Sequence, residues 1–153
     1  MTKEEILAME AGRELDALIA TEIMRYQGVG FYRRKSRFTS GWEPCAIGDV
    51  TPDTPEWKAQ LAIWREDGEV FAVKLYSTDI LYAWQVVEKV REWGCHVDVD
   101  CLLREIHCQI WYPTKEYPKL VWESPWVVVV SQEAPIAICK AALLAKLEIL
   151  NEG

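Results

Sequence analysis

Apolar positions recur at helical spacing in three stretches of the chain and alternate at strand spacing in the segments between them. At the start, Thr2 followed three residues later by Glu5 reads as a capping box ahead of Ile6, Leu7 and Met9. Gly12 loosens that pattern. From Arg13 a second run places Ala11, Leu15, Leu18 and Ile19 on one stripe, so helix is predicted over 3–25, firmest from about residue 13 to 25, with Gly28 and Gly30 ending it. A second helix is predicted over 78–93, capped by Ser77 or Thr78 with Asp79 in its first turn. Ile80, Ala83, Trp84, Val87 and Val90 form its buried stripe, and Gly94 is its C-terminal cap. The third, over 135–151, has Pro135 in its first turn and Ile136, Cys139, Leu143, Leu147 and Leu150 at helical spacing, with Lys140 and Lys146 on the outer face.

Between these helices the period changes to two. Gln60 to Trp64 and Glu69 to Leu75 flank Glu66-Asp67-Gly68, and Asp-Gly between apolar runs predicts a hairpin. His96 to Leu102, Ile106 to Tyr112 and a stretch within Leu120 to Val130 predict an antiparallel meander. Val127 to Val130, apolar on both faces, predicts an inner strand or one covered on both sides. Residues 28–58, broken by Pro44, Gly48, Pro52 and Pro55, read as an irregular segment and a candidate insertion. The α-β-β-β-α order gives an α+β fold, an alpha-beta-alpha sandwich in a single domain over 1–153. Its sheet is mainly antiparallel, of three to five strands.

Composition narrows the function classes. A net charge of -7 argues against a general nucleic-acid binder, which needs clustered Lys and Arg to neutralise phosphates. No apolar run reaches membrane-span length and Met1-Thr2-Lys3-Glu4-Glu5 opens no signal sequence, so a soluble cytoplasmic protein without membrane contact is expected. The five cysteines, Cys45, Cys95, Cys101, Cys108 and Cys139, lack any CxxC pair and read as reduced, buried thiols. Cys95-His96, Cys101 and His107-Cys108 make the one candidate metal cluster, but strand alternation sends neighbours to opposite faces, so no metal and no cofactor are expected. Eight tryptophans are an excess; core packing is their ordinary use, and aromatic concavities or an oligomer interface the functional one.

Four groups of residues are candidates for chemistry. Arg33, Arg34, Lys35 and Arg37 lie beside Phe31, Tyr32 and Phe38, a mixture that grips a phosphate or stacks on a base, or else forms a solvated strand face. Ser77, Thr78 and Asp79 are either a helix cap or the mouth of an anion site, and the carboxylate of Asp79 favours the cap. Arg13 and Asp16, three apart, read first as an intrahelical ion pair. His96, His107, Asp98 and Asp100 read as strand residues in partial contact with water. No nucleophile with its base, zinc-protease motif, phosphate loop or dinucleotide fingerprint occurs, so no catalytic residues are assigned. The element order is also that of double-stranded-RNA-binding domains, yet the last helix opens acidic, at Gln132-Glu133, where those domains need basic residues.

Three blocks carry a family resemblance: Met1 to Asp16, then Tyr76-Ser77-Thr78-Asp79-Ile80 with Trp84-Gln85-Val86-Val87-Glu88-Lys89, and Ala134-Pro135-Ile136 through Ala145. In this order the chain resembles the phage ABA sandwich domain family of bacteriophage and prophage proteins. The resemblance implies an α/β sandwich of phage origin acting inside a bacterial host. It brings no established activity, so no catalytic role is carried over. It draws attention to Arg13, Asp16, Ser77, Thr78, Asp79 and Trp84, at or near helix starts. The resulting expectation is a non-enzymatic phage accessory protein acting on a host or phage protein or on itself, as a homodimer. The alternative is a binder of a nucleotide-like small ligand, using those residues with Arg33, Arg34 and Arg37; an uncharacterised enzyme is the second alternative.

Overall fold

The structure is a computed structural model describing residues 1–36, 39–51, 53–111 and 125–152. The described elements run α1 (Lys3–Ala8), α2 (Arg13–Leu18) continuing into a π turn (Ile19–Ile23), β1 (Val29–Ser36), β2 (Thr39–Pro44), a 3-10 turn (Ile47–Asp49), β3 (Ala59–Trp64), β4 (Val70–Ala72), α3 (Ile80–Glu92), β5 (His96–Leu102), β6 (Glu105–Trp111), β7 (Val127–Ser131) and α4 (Ala134–Glu152). The strands make two antiparallel sheets, a four-stranded one in the order β2-β1-β3-β4 and a three-stranded one in the order β5-β6-β7.

Helix α4 is apolar around its whole circumference, and a helix of that kind has to be enclosed. Every position from Ala137 to Ala145 except Lys140 is buried. The inner face of the three-stranded sheet covers one side through Val97, Cys108, Ile110, Val127 and Val129, and α3 flanks it with Ala83, Val86, Val87 and Val90. Ile6 of α1 and Leu15, Ile19, Ala20 and Ile23 of α2 and the π turn close the remaining side. The lysines of α4 point to these N-terminal helices rather than to an outer face. Lys140 Nζ donates to the Leu7 carbonyl at 2.7 Å, an orphan acceptor at the end of α1, and Lys146 pairs with Glu22.

The N-terminal helix expected over 3–25 is two helices. The Thr2–Glu5 capping box forms as read, but α1 stops at Ala8, and α2 starts after Gly12 and ends in the π turn. The second predicted helix starts later than expected, because Asp79 is its N-cap and Oδ1 accepts the Leu81 N–H at 2.9 Å. Gly94 ends it with φ 86, a left-handed conformation that glycine adopts without strain. Its buried stripe is turned from the one expected: Val86 is inside, while Ile80 and Trp84 are exposed.

The segment 28–58 is irregular only beyond Pro44. It holds β1 and β2 as well as the 3-10 turn, and β2 ends at Pro44, whose missing N–H a closing edge strand tolerates. One face of this sheet sends Val29, Phe31, Leu61 and Ile63 into the main core, and the other gathers Tyr32, Trp42, Ala62 and Val70 in a small cluster of its own. The Asp-Gly hairpin forms as read, with Ala62, Ile63 and Trp64 opposite Ala72, Phe71 and Val70. Val127 to Val130 is corrected too: among the described strands β7 is an edge, and Val128 and Val130 are exposed on the outer face. Their branched side chains suit a half-buried pleated surface as well as an enclosed one. The remainder of Leu120 to Val130 up to Ser124, with Trp122, lies outside the described residues.

The turn from β5 to β6 has Leu103 at φ 48 and Arg104 at φ 78, two non-glycine residues in the left-handed region. Leu102 pairs with Glu105, so this is a two-residue hairpin in which Asn-Gly would sit unstrained. Leu103 is 98% exposed and has no packing to lose. Replacing Leu103→Asn together with Arg104→Gly is expected to raise stability by about 1 kcal/mol, read as a higher denaturant midpoint at unchanged m-value; an unchanged or lower midpoint would contradict this account of the turn.

Candidate functional site

Two of the polar residues at the helix starts, Asp16 and Ser77, meet in one place. Asp16 and Ser77 are both buried. The Ser77 N–H donates to Asp16 Oδ1 at 2.7 Å, and the Gly12 N–H donates to Ser77 Oγ at 2.9 Å. The start of α2 is thereby fastened to the segment leading into α3. Burial raises the Asp16 carboxyl above its ordinary value, with the hydrogen bonds from Ser77 opposing that rise. Asp16 therefore does not form the expected intrahelical pair. Arg13 keeps Nη1 buried without a hydrogen-bond partner, beside a cleft of about 610 Å³ lined by Glu5, Met9, Glu10, Gly12 and Glu14. The Thr78 and Asp79 N–H groups both donate to the Leu75 carbonyl, so with Asp79 on Leu81 this helix start is closed by its own chain.

Arg33, Arg34 and Lys35 of the basic run lie on β1, and the first two face residues of β2. Arg33 Nε donates to Glu43 Oε1 at 2.8 Å, and the Arg34 guanidinium sits 5.6 Å from the ring of Trp42; both are register partners between β1 and β2. Arg37 lies outside the described residues. Trp84 stands apart from both groups on the exposed side of α3, with Arg91 stacked 5.5 Å from its ring. Of the described tryptophans Trp42 is buried and Trp93 and Trp126 pack against the main core, while Trp57, Trp64 and Trp84 are exposed.

His96 and His107 project from the outer face of the three-stranded sheet, 3.2 Å from Asp98 and 3.4 Å from Glu105 respectively, while Cys95 and Cys108 beside them in sequence are buried. Among the described residues no group of three or more His, Cys, Asp and Glu is placed to hold a metal ion. Burial pushes the Cys95 thiol up to about 11 and Cys108 up to about 12, far from the thiolate a nucleophile needs.

A cleft missed by sequence reasoning lies where the four-stranded sheet meets the helices. About 480 Å³ in volume, it is lined by Tyr26, Ile63, Arg65, Phe71, Ala72, Lys74 and Tyr76. Tyr26 follows the π turn and donates its N–H to the Ala20 carbonyl, Arg65 to Ala72 belong to the β3–β4 hairpin, and Tyr76 immediately precedes Ser77. The Asp16–Ser77 bond thus sets the wall of this cleft. The one local signal was Tyr76 in the family-like block; the other lining residues are dispersed over 26–74 with no spacing to connect them.

With this geometry in hand, similarity to known proteins is informative. A family model described as phage ABA sandwich domain matches residues 17–143. The chain is also similar to the 2.0 Å crystal structure of a phage protein from Bacillus cereus ATCC 14579, at 25% identity and a TM-score of 0.52, over 92% of this chain and 90% of that one. No curated protein matches it. No described helix is long and apolar enough to cross a membrane.

Asp16 generates two expectations. Asp16→Ala leaves the buried Ser77 N–H without an acceptor and is expected to cost about 1–3 kcal/mol in chemical denaturation. The folded protein holds the Asp16 proton more tightly than the unfolded chain, whose ordinary value is 3.8. Its contribution to stability is therefore full below that value and declines as pH rises through the higher folded value. Stability of Asp16→Asn relative to the native protein should accordingly improve as pH is raised from about 3 to 7; parallel curves would show that burial does not govern this carboxyl.

Proposed function

The chain belongs to the phage ABA sandwich domain family, and from that premise we propose that it is a non-enzymatic phage accessory protein acting through protein–protein contact, first with a second copy of itself. The carrying observation is the apolar surface at the start of α3. Leu81 is 75% exposed and Trp84 42%, and Leu75 and Ile80 are exposed beside them. Ile80 and Leu81 stand four and three residues before Trp84, so helix geometry puts their side chains next to its ring. Trp with neighbouring aliphatic residues is the composition of an interface centre, and Arg91 stacked on Trp84 supplies a polar rim.

Two other observations support the reading. Burial holds the Cys95 and Cys108 thiols protonated, although Cys101, expected to be buried, is exposed and Cys45 is half-buried. Among the described residues the basic run does not lie in a concavity that could hold a nucleotide: Arg33 meets Glu43, Arg34 lies over Trp42, and neither lines the clefts of about 610 and 480 Å³. The alternative of ligand capture is thus not favoured at Arg33 and Arg34.

Self-association works against a net charge of -7 per copy, so screening by salt should strengthen it. In sedimentation velocity the native protein is expected to form a dimer more fully as salt rises, and Leu81→Glu to remain monomeric with native circular dichroism. A native protein that is monomeric at every concentration and salt would overturn self-assembly.

A further inference from the structure

We propose that the cleft between Tyr26, the β3–β4 hairpin and Tyr76 binds a nucleoside phosphate, the base stacking on its aromatic walls and the phosphate meeting Arg65 and Lys74. Its volume of about 480 Å³ lies within the range of small-molecule sites. Three aromatic rings surround it. Tyr26 and Phe71 are exposed and offer faces on which a planar group can stack, and Tyr76 is buried. Ile63 and Ala72 complete an apolar lining.

The charges that line the cleft are both positive, in a protein whose net charge is -7. A local reversal of sign is a stronger pointer than a cation on a basic surface, because it selects for an anion small enough to lie within the cleft. The Arg65 guanidinium lies 4.6 Å from the Phe71 ring centroid, which leaves its edge available to oxygen acceptors. Arg65 Nη2 is 3.0 Å from Asp67 Oδ2 in an ion pair about half exposed on both sides. Such a pair contributes little, and a phosphate able to accept two parallel hydrogen bonds displaces it. Lys74 Nζ is 5.3 Å from the Tyr82 ring centroid.

The neighbouring cleft strengthens the assignment. It is about 560 Å³, lined by Thr21, Arg25, Tyr26, Gln27, Gly28 and Val29, and it shares Tyr26. Arg25 there has φ 63, a strained conformation for a residue with a side chain. It adds a third cation to the lining of the cleft that shares Tyr26. The stacking group would occupy the first cleft, and a longer phosphate chain would reach toward the second.

Isothermal titration with AMP, GMP, CMP and UMP tests the proposal, with adenosine and inorganic phosphate as controls. At least one nucleotide is expected to bind one per chain, about tenfold or more tighter than either adenosine or phosphate. Arg65→Gln and Tyr26→Ala should each weaken it about tenfold or more with unchanged thermal unfolding, whereas the self-association variant Leu81→Glu should bind as the native protein does. Failure of all four nucleotides up to about 1 mM would overturn the proposal, as would binding that Arg65→Gln leaves intact or that Arg33→Gln abolishes instead.

Discussion

Enclosing α4 is the constraint on which the rest of the structure depends. A helix buried from Ala137 to Ala145 on nearly every side cannot be served by one sheet. Each buried Leu or Ile there is worth about 1.5–3 kcal/mol only if water is kept from it all round. The sheet of β5, β6 and β7 covers one side and α3 a flank, which leaves a third side that only the N-terminal helices can close. Their brevity follows from the shape they have to cover, since α1 and α2 turn at Gly12 so that Ile6 and the Leu15–Ile23 stretch lie against the same helix. Lys140 and Lys146 then bind to the covering layer, each finding an acceptor at its edge.

That covering layer needs a lock, and Asp16 with Ser77 provides it. A buried carboxylate held by an N–H rather than a cation is costly, so its presence is better explained by where it fixes the chain than by net stability. It joins α2 to the residues that lead into α3, and the same few residues set Tyr76 against the cleft and Asp79 at the helix cap. Core, helix start and cleft wall are coupled through one hydrogen bond.

Much of this was legible in the chain because local rules decide it. The Thr2–Glu5 box, the Asp67-Gly68 turn, Pro135 in the first turn of α4 and Gly94 after α3 each satisfy backbone groups within a few residues. The misreadings have a common cause in packing at long range. Apolar residues on α3 allow two overlapping stripes, and the one containing Val86 wins because close approach to the alanine-rich α4 admits Val and Ala but not the area of Trp84. Val128 and Val130 are outward because the order β5-β6-β7 puts their strand at an edge, which no period-two pattern reveals. Ser77, Thr78 and Asp79 were recognisable as a capping region, but which of them caps depended on a partner 61 residues away. The cleft was invisible for the same reason: Tyr26, Arg65, Phe71, Lys74 and Tyr76 are assembled by tertiary contact alone.

The distribution of charge bears on the kind of anion the proposed cleft would take. At physiological ionic strength a field is felt over about 8 Å. A polyanion lying along the protein therefore meets the acidic surface as a whole, and a net charge of -7 repels it. A mononucleotide is short enough to be governed by the charges nearest to it, Arg65 and Lys74 lining the cleft and Asp67 paired with Arg65. On the proposed assignment, selectivity by ligand size would follow from electrostatics, a short anion meeting the cations of the cleft and a polyanion the acidic surface.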